Sequence, residues 1–101
     1  MADYVDTFDH GYEKWDIYKE ADNSYSYQHF PDCTMGADIQ YIITITFEEG
    51  RYKFEAQEYF EIYGSGGWHR WTLYSDELKD IILKDAMERI DNGTSETPTN
   101  E

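Results

Sequence analysis

Two alternating segments joined by Glu49-Gly50 constrain the fold of this chain more than any other feature. From 39 to 47 every second residue is aromatic or β-branched, and apart from Glu58 an apolar alternation resumes from 52 to 62. A period of two is typical of a strand with one buried face, and a two-residue turn between two such strands forms a hairpin. The turn sets a register that pairs Phe47 with Tyr52, Ile45 with Phe54, Ile43 with Ala56 and Ile39 with Phe60.

The other face of this hairpin is polar. It pairs Thr46 with Lys53 and Thr44 with Glu55, which favours an antiparallel sheet that is covered on one side only. Glu58, opposite Tyr41, interrupts the buried face; a strand bend, a bulge or a functional carboxylate would each account for it.

Three further strands are predicted at 12–20, 25–30 and 68–74. Trp15 and Ile17 lie on one side of the first, and Trp71 and Leu73 are expected to face the core. Turn residues at 22–24 separate the first two strands, while 31–37 and the glycine-rich 64–67 are interpreted as loops. Residues 1–11 are expected to form an extra short helix or an extended arm.

A helix is predicted from an N-cap at Ser75 to a closing Asn92-Gly93. Asp76 and Glu77 would lie in its first turn, where the helix dipole favours anions. Spacings of three and four define its apolar stripe: Leu78, Ile81, Ile82, Ala86, Met87 and Ile90. The predicted fold class is α+β, an antiparallel sheet of about four to five strands packed against one C-terminal helix. Residues 1–93 would form a single compact domain and 94–101 a flexible polar tail; an opened barrel closed by the helix is the alternative.

The charge of the chain excludes one class of function. Its 101 residues include 22 Asp and Glu against 8 Lys and Arg, a formal net charge of -14. Direct binding to nucleic acid needs clustered cations that neutralise phosphates, and an anionic membrane surface repels such a chain. No apolar stretch is long enough for a membrane helix, and the start lacks a basic and apolar signal pattern. A cytoplasmic location is expected, the host cytoplasm if a phage encodes the chain.

No catalytic constellation is recognised. The three histidines, His10, His29 and His69, lack metal-ligand spacing. His29 is near Cys33 in the sequence, but a reactive thiolate needs a positive or dipolar surrounding, and Asp32 stands beside Cys33 instead. The segment 64–67 lacks the Lys-Ser/Thr of a phosphate-binding loop. We therefore expect no enzyme activity, no metal and no cofactor.

The acidity is uneven along the chain and mixed with aromatic residues. Residues 1–32 carry eight acids and two bases, and 33–63 carry six acids and two bases. A row of carboxylates on strands and loops can approximate the spacing of nucleic-acid phosphates. The candidate partner-binding residues are Asp3, Asp6, Asp9, Glu13, Asp16, Tyr18, Glu20, Asp22, Glu55, Tyr59, Glu61 and Tyr63.

In size and surface character the chain resembles the small acidic DNA-mimic inhibitors that phages and mobile elements encode against restriction and CRISPR nucleases. The resemblance implies an inhibitor or regulator that occupies the basic groove of a nucleic-acid-binding protein, such as a nuclease effector, as a monomer or homodimer. Two alternatives remain open. One is a small ligand- or carbohydrate-binding domain that uses Trp15, Trp68, Trp71 and the tyrosines. The other is a structural or assembly protein.

Overall fold

The computed structural model describes residues 3–31, 37–62, 65–70 and 75–95. Within these ranges the chain forms six strands and one helix. The strands are β1 (Asp3–His10), β2 (Glu13–Ala21), β3 (Ser24–His29), β4 (Ala37–Glu48), β5 (Arg51–Ile62) and β6 (Ser65–Arg70), and the helix is α1 (Asp76–Ser95). The strands form one antiparallel sheet in which the spatial order follows the chain. The α+β class is confirmed, with six strands where four to five were expected.

The additional strand is β1, at one edge of the sheet. Neither the short helix nor the arm expected for residues 1–11 describes it, because 3–10 pair with β2 along almost their whole length. Phe8 lies opposite Trp15 and packs against the core. The register shifts between Tyr4 and Asp6, so Val5 occupies a bulge. An extra residue in a strand shifts its period of two, which is why alternation did not reveal β1.

The central hairpin forms as predicted. Glu49 and Gly50 have positive φ angles of 52° and 80°, the backbone that a two-residue turn of type I′ requires. All four predicted apolar pairs are present, and Glu58 lies opposite Tyr41 in an unbroken ladder. A bulge therefore does not explain Glu58.

Strand β6 begins earlier than expected. It spans Ser65–Arg70, so residues 65–67, interpreted as loop, are part of the sheet. The rest of the predicted strand, with Trp71 and Leu73, lies outside the described residues, as do Gly64, Cys33 and most of the predicted loop at 31–37. Gly66 accounts for the difference: its φ is +151°, and a Cβ at this position would collide with the carbonyl oxygen of Phe60. Glycine therefore permits a close approach of β6 to β5.

Substitution of Gly66 by alanine is expected to break this strand pairing. Gly66→Ala should lower the free energy of unfolding by about 2 kcal/mol, because the new methyl group collides with backbone that cannot move aside. Gly67→Ala is the matched control, since no atom lies within 4 Å of the point that its Cβ would occupy, and it should change stability by less than about 0.5 kcal/mol. Urea unfolding measures both; equal losses would contradict this account of β6.

Helix α1 covers one face of the sheet. The predicted N-cap is confirmed, because the backbone N–H of Leu78 donates to Ser75 Oγ at 3.1 Å. The buried helix residues recur every four positions: Leu78, Ile82, Ala86 and Ile90. Ile81 and Met87, predicted in the same stripe, are 37% and 39% exposed, because a single helix lying on a sheet buries only a narrow line of its surface.

The strand side of the core consists of large aromatic and β-branched residues. They are Trp15, Ile17, Tyr25, Tyr27, Ile43 and Ile45, together with Ala56. The helix also extends past the predicted stop to Ser95, so Thr94 and Ser95 belong to α1 and not to the predicted tail.

A polar network joins this helix to two strands. Tyr27, fully buried on β3, donates its hydroxyl to Asp85 Oδ2 at 2.5 Å. Arg89 donates from Nε to the same oxygen at 2.7 Å and from Nη2 to Asp6 Oδ2 at 3.2 Å. Burial, followed by the nearby Asp85 carboxylate, raises the pKa of Tyr27 far above its ordinary value. The network stabilises the edge strand β1 against α1 and so positions the residues that β1 contributes to the other face of the sheet.

Candidate functional site

The sheet surface opposite α1 is the candidate functional site, and we call it the open face. Side chains alternate between the two faces of a strand, and the observed register therefore places whole cross-strand rows on it. One row runs Tyr4, Tyr18, Ser26, Thr44, Glu55, and the next runs Thr7, Asp16, Gln28, Ile42, Gln57, Arg70.

Small hydroxyl residues occupy the middle of the open face, and we call this strip the hydroxyl trough. Ser24 and Ser26 of β3 are buried although they lie opposite α1. Ser26 lies between the larger Tyr18 and Thr44 in the register, and Ser24 exchanges a hydrogen bond of 2.9 Å with Thr46.

Hydroxyl groups hold several carboxylates on this face. Thr7 Oγ1 donates to Asp16 Oδ1 at 2.9 Å. Ser26 Oγ donates to Glu20 Oε2 at 2.6 Å, and the Tyr59 hydroxyl donates to Glu61. Such a bond positions the carboxylate oxygen that accepts it and restricts the rotamer of that side chain.

The β1 end of the open face carries a relay of hydroxyls. Thr7 Oγ1 also lies 2.5 Å from the hydroxyl of Tyr4. Because the single hydroxyl hydrogen of Thr7 goes to Asp16, the Tyr4 hydroxyl is the donor to Thr7. The Tyr4 ring meets that of Tyr18 edge to face, with centroids 5.8 Å apart. Tyr4 and Tyr18 therefore form a positioned aromatic pair beside a positioned carboxylate.

A second aromatic pair lies at the β6 end. The rings of Tyr59 and Trp68 have centroids 5.2 Å apart, and Trp68 is 47% exposed. The two aromatic pairs lie on opposite sides of the hydroxyl trough.

The structure distributes the predicted partner-binding residues over three places. Those on the open face are Asp9, Asp16, Tyr18, Glu20, Glu55, Tyr59 and Glu61. Those on the helix side of the β1 and β2 edge are Asp3, Asp6 and Glu13. Asp22 lies in the turn after β2 and pairs with Lys19 at 3.2 Å; Tyr63 lies outside the described residues.

Sequence reasoning missed four residues that build the open face. Tyr4 and Thr7 were missed because β1 was not recognised as a strand. Ser26 carries no charge and was expected only as part of a strand. Trp68 was weighed for sugar binding but not for partner binding, although it lies beside Tyr59 in the register.

Asp6 is engaged within the protein. It accepts hydrogen bonds from the Thr7 backbone N–H at 2.8 Å and from Arg89 at 3.2 Å. These two donors, the backbone one first, hold the pKa of Asp6 below its ordinary value of 3.8. Its charge is thus used to attach β1 to α1.

The lowered pKa of Asp6 predicts a pH-dependent share of stability. A carboxyl with a depressed folded-state pKa stabilises the fold fully above its ordinary pKa, and this is lost as pH falls through the folded-state pKa. Asp6→Asn should therefore lower the urea midpoint at pH 6, and its difference from the wild type should shrink as pH falls below 3.8. In an Arg89→Met background the shrinkage should be smaller, because one donor is gone. A difference that stays constant with pH would show that the charge of Asp6 contributes nothing.

The carboxylates of the open face do not form a row at phosphate spacing. Between 55 and 61 on β5 the open-face positions hold Glu55, Gln57, Tyr59 and Glu61, so the two carboxylates are about 20 Å apart at ~3.3 Å per residue. Asp16 and Glu20 on β2 are about 13 Å apart by the same rise. The site thus consists of separate fixed anions with aromatic side chains between them.

The strands β1 to β3 carry the largest share of charge. Residues 3–31 hold seven acids and two bases, net -5, whereas 75–95 hold six acids and three bases, net -3. Four of the eight exposed large hydrophobic residues in the described part of the chain lie in the same strands and at their ends: Tyr4, Val5, Tyr12 and Phe30. The most acidic of the described ranges thus also carries exposed aromatic side chains.

Comparison with known proteins gives no assignment: no protein-family model, curated protein or solved structure matches this chain. In the part of the chain that the structure describes, no helix is long and apolar enough to cross a membrane. In the same ranges, no group of three or more His, Cys, Asp and Glu side chains is arranged to hold a metal ion.

Proposed function

We propose that this chain is a protein-binding inhibitor or regulator that docks its open face on a basic, nucleic-acid-binding surface of a partner. The observation that carries the proposal is the fixing of Asp16 and Glu20 by neighbouring hydroxyls. An anion that is already ordered loses little freedom when a cation binds, so more of the interaction energy appears as affinity. The bond from Thr7 to Asp16 lies outside the core, on the face opposite α1, whereas the bond from Ser26 to Glu20 also satisfies a buried hydroxyl.

Aromatic residues supply the second part of this surface. Tyr and Trp are enriched at the energetic centres of protein interfaces, and the pairs Tyr4–Tyr18 and Tyr59–Trp68 flank the hydroxyl trough. Purely charged contacts between exposed groups are weak and screened by salt. The aromatic pairs would add desolvated contact area where the carboxylates add charge complementarity.

The net charge selects the class of partner. A chain of formal charge -14 repels nucleic acid and is attracted over long range to the basic grooves that hold it. Because the open-face anions are separated from one another and do not follow a phosphate backbone, each would pair with a separate cation of such a groove. Competition with DNA or guide RNA for that groove is the inhibitory act that we propose.

The experiment is capture followed by competition. The chain, immobilised through its C terminus, is used to isolate a partner from its native host, and the purified partner is then loaded with labelled DNA or RNA. We expect added chain to displace the nucleic acid at concentrations near its dissociation constant for the partner, and less effectively as salt rises. Formation of a stable ternary complex, with the nucleic acid fully retained, would overturn the proposal.

A carbohydrate-binding function is a second candidate, and the exposed Trp68 beside Tyr59 favours it. Trp15 does not contribute, because it is buried in the core. Titration of oligosaccharides against tryptophan fluorescence tests this candidate: a saturable change that disappears in Trp68→Ala would support it, and a flat titration would exclude it for the sugars used.

A further inference from the structure

A groove lies beside the open face at the end of the β2–β3 pair. It has a volume of about 380 Å³, within the range of sites that hold small ligands or single side chains. The turn before β2 forms one wall, where Gly11 has a φ of 64°, and the chain leaving β3 at Phe30 forms the other. The docking function proposed above does not by itself assign a role to this groove.

Two of the residues that line the groove are exposed aromatic residues. Tyr12 is fully exposed and Phe30 is 55% exposed. His29 of β3 also lines the groove, and a hydrogen bond restricts its orientation: Nδ1 lies 3.0 Å from the carbonyl oxygen of Lys14, which can only accept, so Nδ1 carries the hydrogen. The His29 ring also packs 5.1 Å from the ring of buried Trp15. One side of the groove is therefore rigid.

The polar lining of the groove favours a cation. Glu13 accepts a hydrogen bond from the Trp15 indole at 3.2 Å, and Asp16 is held by Thr7. Lys14 also lines the groove and reduces its negative charge. Two carboxylates, Glu13 from the helix side of β2 and Asp16 from the open face, against one lysine leave the groove net negative.

We propose that this groove receives an arginine side chain of the partner. A guanidinium group is planar, stacks on aromatic rings and forms forked hydrogen bonds with a carboxylate, and the lining of the groove offers both kinds of group: the aromatic residues Tyr12 and Phe30, and a carboxylate on each face of the sheet, Glu13 and Asp16. A lysine ammonium would satisfy the charge but not the planar stacking. The inference rests on the proposed function, since it assigns one contact of the basic partner, and it is tested independently of any partner.

The probe is a blocked peptide, Gly-Ser-Gly-Arg-Gly-Ser-Gly, titrated into the isotope-labelled chain and followed by amide chemical shifts. We expect a dissociation constant in the millimolar range, shift changes centred on Tyr12, Asp16 and His29, at least about fivefold weaker binding of the Lys peptide, and no binding of the citrulline peptide.

Three variants are expected to affect binding of the Arg peptide in three different ways. Tyr12→Ala, at a fully exposed position, should weaken binding of the Arg peptide about fivefold or more. Lys14→Gln should tighten it about threefold, because it removes the cation that competes with arginine. Asp80→Asn, on the exposed side of α1, should leave it unchanged.

The inference would be overturned by any of three results. These are equal binding of the Arg and citrulline peptides, chemical-shift changes that lie away from the groove, and weaker binding of the Arg peptide by Lys14→Gln. If the peptide does not bind while the chain still displaces nucleic acid from the partner, only the inference about the groove is refuted. If the peptide binds specifically but the chain does not displace nucleic acid, the proposed function is refuted.

Discussion

Replacement of Ile82 by alanine is expected to lower the free energy of unfolding by about 3–4 kcal/mol. Ile82 is fully buried at the centre of the helix line that meets the sheet, so its truncation loses apolar burial and leaves a cavity that the surrounding aromatic residues cannot fill. A domain of this size has only about 5–10 kcal/mol of stability. Urea unfolding followed by tryptophan fluorescence, which reports on buried Trp15, measures the change.

Ile81→Ala is the matched control for this prediction. The two substitutions are chemically identical, lie on the same helix and give the same gain in helix propensity, but Ile81 is 37% exposed. We expect Ile81→Ala to change stability by less than about 1 kcal/mol. Equal losses at 81 and 82 would mean that α1 contacts the sheet with a different face from the one described.

The apolar stripe of α1 shows where sequence spacing stops being informative. Spacings of three and four placed both Ile81 and Met87 in the core, because an amphipathic pattern defines an arc of the helix and not the line of contact. The sheet offers no second surface that wraps around α1. Only the residues four apart reach it, and the flanking members of the arc remain exposed.

The strands also differ in how far the local sequence predicts them and how far they depend on pairing with a neighbouring strand. The central hairpin was predictable to the residue, because its alternation is regular and its turn has two residues. Strand β1 was not predictable, because the bulge at Val5 interrupts its period of two. The start of β6 was not predictable either, because glycines carry no hydrophobic pattern. In both cases pairing with a neighbouring strand supplies the order that the local sequence lacks.

The open face was only partly predictable for the same reason. Alternation correctly separates Glu55, Tyr59 and Glu61 from the buried side of β5. The bond from Thr7 to Asp16 joins two strands and depends on a β1 register that no spacing rule gives. Charge could therefore be placed on the surface from sequence, but the hydroxyls that fix it could not.

Neutralising the two fixed anions of β2 is expected to weaken partner binding about 100-fold. The double variant Asp16→Asn, Glu20→Gln keeps an oxygen that can accept from Thr7 and Ser26 and removes only the charges. Loss of two charge-assisted contacts at a desolvated interface costs about 2.7 kcal/mol, which corresponds to this change in dissociation constant. Binding of the isolated partner to immobilised wild type and variant, measured by surface plasmon resonance at two salt concentrations, gives the ratio.

The control is Asp80→Asn, Glu88→Gln on the exposed surface of α1, which changes the net charge of the chain by the same amount. If the open face docks, this pair should alter the dissociation constant less than about threefold, because it changes only the long-range attraction. If both double variants weaken binding equally and high salt removes the difference from wild type, the total charge attracts the partner and the open face is not the docking surface. The two pairs of substitutions lie on opposite sides of the sheet. The ratio of the dissociation constants of the two double variants therefore distinguishes binding at the open face from attraction by the total negative charge.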